Sequence, residues 1–237
     1  MRILGIDTSG MTASVAILED ECLIGEYTVN FKKTHSQTLL PMLDELLTRV
    51  ELSVEDMDAI ATAAGPGSFT GLRIGAATVK GLAMPFNTPV IEVSSLEALA
   101  YQCCGSAGLV CPIFDARRSQ TYAAAYEFDG NEAVCVIEPS ALMMEEFIEK
   151  LNIIGKPAVF TGDGVPVFAE MIKEKAGFEA SFAPAHRSRQ SAAAVAYLGM
   201  KKMQKGESVA AADHRPIYLR IPQAERELAE KNDNKKA

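Results

Sequence analysis

Arg2-Ile3-Leu4-Gly5-Ile6-Asp7-Thr8-Ser9-Gly10-Met11-Thr12 is an apolar run that stops on a carboxylate and a hydroxyl-rich turn, and the chain returns through Ala13 to Leu18. Short apolar runs bounded by turn residues read as buried strands. A carboxylate and hydroxyls at such a turn suit a magnesium-bound phosphate held by backbone N–H groups. Asp-Thr-Ser-Gly is also an ordinary turn composition. The pattern recurs downstream. Val110 to Asp115 is again apolar and ends on a carboxylate, with strands expected at Tyr122 to Phe128 and Ala133 to Glu138. Strand, carboxylate, turn and strand, twice over, point to a duplicated unit.

The intervening pattern supports this. Further strands are expected near 23–30, 58–64 and 89–93, and helices near 36–50, 70–84 and 94–104. Three strands followed by alternating helix and strand imply a mixed sheet with helices on its faces. The second unit continues with a helix from Ala141 to Leu151, a strand from Ala158 to Thr161 and a helix from Val165 to Lys175. The expected division is a first unit over 1–107 and a second over 108–187. A helix inside 188–205, from about Gln190 to Lys205, returns to the first unit. The segment 223–237 is charged and poor in apolar residues, and is expected to be disordered.

Gly65-Pro66-Gly67-Ser68-Phe69-Thr70-Gly71-Leu72-Arg73-Ile74-Gly75 joins a strand to a helix. Pro66-Gly67 suits the centre of a type II turn, and Ser68 or Thr70 suits the helix cap. A glycine turn before a helix N-terminus is a place where anions bind, but no Gly-Lys-Ser/Thr follows, so this is not a Walker A loop. On local chemistry alone it reads as a tight strand-to-helix turn. The 36–50 helix carries Leu39, Leu40, Leu43, Leu46, Leu47 and Val50, with Met42 widening the stripe. The 70–84 helix sets Gly71, Gly75, Thr78 and Leu82 along one side. These faces suit either packing on the sheet or a helix-pair interface between subunits. The second reading assigns Leu39, Leu43, Leu46, Gly71, Leu72, Gly75 and Thr78 to a partner surface.

Composition narrows the classes. The 237 residues are 48% hydrophobic and 23% charged, as in ordinary globular chains. No apolar stretch is long enough to span a bilayer and no secretory signal is apparent, so a cytoplasmic protein without membrane attachment is expected. Five cysteines without CxxC spacing read as reduced thiols. The net charge of −8 opposes unaided binding to nucleic acid. Arg187-Ser188-Arg189 and Lys201-Lys202 with Lys205 are local basic clusters. Three scattered histidines and no Cys/His cluster argue against a metal site built by local spacing.

The set of motifs resembles the TsaB (YeaZ) family of the tRNA threonylcarbamoyladenosine pathway. The matching segments are Gly5 to Ser9, Ala64 to Gly75, Val93 to Ala100, Asp115-Ala116-Arg117-Arg118, Tyr122-Ala123-Ala124, Gly162-Asp163-Gly164 and Pro216-Ile217-Tyr218-Leu219-Arg220. They cover almost the whole chain, and Gly65 to Gly75 is the most specific. The resemblance implies an α/β, duplicated actin-like (ASKHA, ribonuclease H-like) fold of two mixed-sheet subdomains. It implies a non-catalytic scaffold for the related transferase TsaD, joined by the ATPase TsaE. That assembly transfers threonylcarbamoyl from its adenylate to the adenosine beside the anticodon, in tRNAs reading codons that begin with A. TsaD holds its metal with a His-x-x-x-His pair, where this sequence has Ser95 and Leu99. Neither replaces an imidazole. No metal or cofactor is therefore expected on this chain alone, ATP or ADP and metal belong to the partner complex, and tRNA is reached only through it. A homodimer is expected when TsaD is absent. Asp7, Thr8, Ser9, Asp115, Gly162 and Gly164 mark a vestigial nucleotide site.

Two other functions compete. An independent actin-fold kinase would use Asp7, Asp115 and Gly162-Asp163-Gly164, but its first phosphate turn is Asp-Thr-Ser-Gly rather than Asp-x-Gly-Thr and its adenosine loop is short. A glycoprotease-type peptidase lacks any local serine, histidine and acid motif.

Overall fold

A computed structural model describes residues 1–31 and 34–220. The first unit runs β1 (Arg2–Asp7), β2 (Ala13–Glu19), β3 (Cys22–Val29), α1 (His35–Arg49), β4 (Ala59–Gly65), α2 (Phe69–Ala83), β5 (Val90–Ser94) and α3 (Ser95–Tyr101). The second runs β6 (Leu109–Asp115), β7 (Gln120–Asp129), β8 (Glu132–Met143), α4 (Met144–Ile154), β9 (Ala158–Thr161), α5 (Val165–Lys175) and β10 (Ala180–Phe182), and α6 (Ala192–Gln204) follows. The segment 223–237, expected to be disordered, lies outside the described residues.

The sheets have the orders β3-β2-β1-β4-β5 and β8-β7-β6-β9-β10. In each, the first three strands in chain order are antiparallel neighbours and the last two are parallel additions on the far side of the first. The two units therefore repeat one topology, which is the duplicated actin-like fold. It brings the ends of β1 and β6, and thus Asp7 and Asp115, to the same cleft.

Helices α1 and α2 cover one face of the first sheet, where Leu39, Leu43 and Leu46 pack with Leu4, Ile6, Ile17 and Ile60. Burying each such leucine is worth about 1.5–3 kcal/mol. Helix α6 covers the other face. It sits close because Gly5 faces the Ala192 carbonyl and Gly199 faces Ala61; a Cβ on Gly5 would lie 2.3 Å from that carbonyl oxygen. Helix α3 joins the units, with Leu96 and Leu99 packed against Val110, Phe114 and Ala124 of the second sheet.

Three expectations are corrected. The helix expected from Ala141 begins at Met144, because Leu142 is buried and pairs with Thr121, which holds residues 139–143 in β8. Pro139 is tolerated there because β8 is an edge strand. Pro66-Gly67 is not a type II turn: the positive φ falls on Gly65 (129°) and the Gly65–Pro66 bond is cis. Gly67 is needed for closeness instead, since a Cβ there would lie 2.3 Å from the Ser9 carbonyl oxygen. The partner surface is the third correction. Leu39, Leu43, Leu46 and Leu72 are all at least 97% buried within the chain. Gly71 and Gly75 face the Thr8 turn, where added Cβ atoms would lie 2.1 Å from the Thr8 carbonyl oxygen and 2.4 Å from its Oγ1. The stripe of small residues seats a turn of the same chain. Only Thr78 of the assigned set is partly exposed, and the outward side of these helices carries Leu40, Ala77 and Gly81.

Candidate functional site: the cleft between the two units

Asp7 ends β1 and is 99% buried. Its Oδ1 accepts the Ser9 N–H at 2.8 Å and the Ser9 hydroxyl at 2.7 Å. Burial pushes its pKa up to about 6 against the pull of those two bonds, and the nearby Asp163 adds to the rise. Thr8 is also buried and donates its hydroxyl to the Gly71 carbonyl. The Ser9 carbonyl accepts the Ser68 N–H at 2.6 Å, which ties the first turn to the start of α2. Ser68 caps that helix by accepting the Gly71 N–H.

The second unit supplies Asp163 from the loop after β9. Its Oδ1 accepts the Asp115 N–H at 3.2 Å. Burial raises its pKa, while the backbone N–H groups of Asp115 and Met11 and the charge of Arg189 favour its ionised form. A carboxylate of the second unit thus lies against the turns of both units, where an anion would sit. Ser9 N–H serves Asp7 and Ser68 N–H serves Ser9, so these two turn donors are engaged within the chain.

The remaining expected nucleotide residues have structural duties. Gly162 has φ 113° and lies against the Ile113 carbonyl, and Gly164 donates its N–H to the same oxygen at 3.1 Å. They fasten the loop to β6. Asp115 accepts the Arg117 N–H at 2.8 Å and pairs with its guanidinium at 3.2 Å. Ser95 is buried and accepts the Gly65 N–H at 3.1 Å, while Leu99 is buried beneath Gly162. Among the described residues, no group of three or more His, Cys, Asp or Glu is placed to hold a metal ion.

The cleft encloses about 510 Å³. Its rim was missed by sequence reasoning. Residues 216–220 cross it as a strap, with the Ile217 N–H donating to the Ala64 carbonyl at 2.7 Å and Arg220 Nη1 to the Ala116 carbonyl at 2.8 Å. Between these anchors the Tyr218 ring lies 4.9 Å from that of Phe69, and the Arg73 guanidinium lies 4.0 Å over Phe69. Asp163 entered the sequence reading only within the Gly162-Asp163-Gly164 motif, and its contact with the Asp115 N–H was not foreseen.

Comparison with known proteins agrees with this architecture. A family model described as TsaD, tRNA N6-adenosine threonylcarbamoyltransferase, matches residues 26–233. The tRNA threonylcarbamoyladenosine biosynthesis protein TsaB of Bacillus subtilis is 34% identical over 95% of this chain and 96% of its own length. The solved structure of YeaZ from Pseudomonas aeruginosa superposes with a TM-score of 0.79 at 28% identity, over 92% of this chain and 99% of that one. Component A of the Acidaminococcus fermentans (R)-2-hydroxyglutaryl-CoA dehydratase shares the fold alone, with a TM-score of 0.50 at 13% identity over 86% of this chain.

Proposed function

The chain belongs to the TsaB (YeaZ) family of tRNA threonylcarbamoyladenosine biosynthesis proteins, and from that premise we propose that it is the non-catalytic subunit that pairs with TsaD. It has no transferase chemistry of its own. It supports threonylcarbamoyl transfer by its partner to the adenosine beside the anticodon, in tRNAs reading codons that begin with A. The observation that carries this reading is the placement of Ser95 and Leu99, where the family resemblance puts the metal-binding histidines of TsaD. Both are buried and committed to packing, Ser95 on the Gly65 N–H and Leu99 beneath Gly162. An alcohol and an aliphatic side chain so placed do not hold a transition metal.

The same reading gives the chain no nucleotide of its own, which the internal use of the turn donors supports. ATP or ADP and metal then belong to the assembly, which TsaE joins. The partner surface lies on the outward side of α1 and α2, and a homodimer uses that side when TsaD is absent. Leu40 is 54% exposed there, and a Cβ on Gly81 would meet nothing, so a partner helix has room to approach. Five free thiols fit the cytoplasm as its compartment.

Co-purification tests the pairing. Tagged TsaD is expected to retain this chain in a stoichiometric complex through gel filtration. Two separate peaks at micromolar concentration contradict the proposal.

A further inference from the structure

The cleft rim has a composition the scaffold role does not use. In a chain of net charge −8, Arg117 and Arg220 line the cleft beside a tilted ring pair, Phe69 and Tyr218, with Arg73 over Phe69 and Arg118 next to Arg117 on the turn. In the lysine cluster, Lys201 pairs with Glu132 and Lys202 with Glu207. Arg117 pairs with Asp115, yet its side chain is 81% exposed, and Arg118 is exposed beside it. The turn that presents them is unusual. Arg117, Arg118 and Ser119 all have positive φ, at 65°, 55° and 59°. Non-glycine residues rarely adopt this region, and three in succession keep both arginines outward on a tight hairpin.

Exposed arginines interleaved with aromatic rings are the chemistry that holds single-stranded nucleic acid, with cations on phosphates and rings on bases. The floor decides where such a ligand lies. Asp163, Asp115 and buried Asp7 repel a phosphate from the depth of the cleft. The rim does not, because Arg117 and Arg118 are exposed there. Phe69 and Arg73 also belong to α2, so the rim is continuous with the helix pair assigned to the partner. We propose that this rim, centred on Tyr218 and the Arg117-Arg118 turn, is a contact surface for an unpaired stretch of RNA. It extends the tRNA-pathway reading, on which it rests for the kind of nucleic acid. It gives the chain a weak RNA contact of its own, which the assembly strengthens.

The test is fluorescence anisotropy of a labelled single-stranded RNA of about nine nucleotides with the full chain. Dissociation constants on the order of 10–100 µM are expected at about 50 mM salt, with a log–log salt slope of about −2 to −3 from four arginines. Tyr218→Ala is expected to weaken binding by about five- to a hundredfold through lost stacking. Arg117→Ala with Arg118→Ala is expected to flatten the slope by about 1, and both side chains are exposed enough to leave the fold intact. A duplex of the same sequence is expected to bind less tightly. No anisotropy change at the highest protein concentration overturns the proposal, as does binding unaffected by either variant. Competition by adenosine monophosphate as strong as by the RNA makes the cleft a mononucleotide site and also overturns it. Loss of TsaD association in Tyr218→Ala with RNA binding unchanged makes the rim a protein contact instead. The RNA measurement needs no partner and the co-purification needs no RNA, so the two readings fail separately.

Discussion

At about pH 8, Asp7→Asn is expected to raise the stability of the chain by on the order of 2–3 kcal/mol. The folded protein holds Asp7 at a pKa of about 6, above its ordinary 3.8, because burial disfavours the charged form. The sign follows from linkage. Below about pH 4 the carboxyl is protonated in both folded and unfolded chains, and the penalty is absent. It grows as pH rises through the interval between the two pKa values, and is complete above the folded one. Asparagine keeps an oxygen for the Ser9 N–H and hydroxyl but carries no charge. The gain should therefore appear only above about pH 4 and level off near pH 7, raising the melting temperature by about 4–10 °C at the plateau. Thermal unfolding of both proteins at several pH values measures it. A destabilised variant at pH 8, or a gain independent of pH, contradicts the account of this carboxylate. Charge kept at a destabilising site is the pattern of a functional remnant rather than of a stability element.

The second large effect separates folding from association on α1. Leu43 and Leu40 lie three residues apart on one helix, but Leu43 is buried against the sheet while Leu40, at the margin of that face, is 54% exposed. Leu43→Asp buries an unpaired carboxylate in the first core and is expected to cost more than about 4 kcal/mol of folding stability. Leu40→Asp changes an exposed position, and its effect on folding is expected to stay within about 0.5 kcal/mol. Combined with Ala77→Glu on α2, it is expected to weaken association with TsaD about 30-fold or more, and to dissociate the homodimer. Circular dichroism checks the fold, and analytical ultracentrifugation with and without TsaD reads the assemblies. Unchanged association in the folded double variant moves the partner surface away from α1 and α2.

The fold was largely legible because its signals are local. The run Ile3 to Ile6 ends at Asp7, the run Val110 to Phe114 ends at Asp115, and those repeats alone imply two units. The site was less legible because it depends on approaches between distant segments. The sequence displays Gly71 and Gly75 as a smooth helix side, but not that the Thr8 turn sits against it. Leucine spacing marks one apolar side of α1, and Leu39, Leu43 and Leu46 turn it to the sheet while Leu40 alone stays outward. Asp163 reaches Asp115 across 48 residues, and the strap carrying Tyr218 reaches Ala64 across more than 150. No periodicity reports such contacts. The helix expected at Ala141 failed for a similar reason, since pairing with β7 outweighed local helix preference.

The central claim is that this chain works through its partner. The direct measurement is tRNA threonylcarbamoylation reconstituted with threonylcarbamoyl adenylate, TsaD and TsaE, with and without this chain. The account predicts no product from this chain alone, and a rate with TsaD and TsaE that falls sharply when the chain is omitted or replaced by the Leu40→Asp/Ala77→Glu variant. Product formed by the chain alone, or a rate from TsaD and TsaE that is the same in its absence, would contradict it.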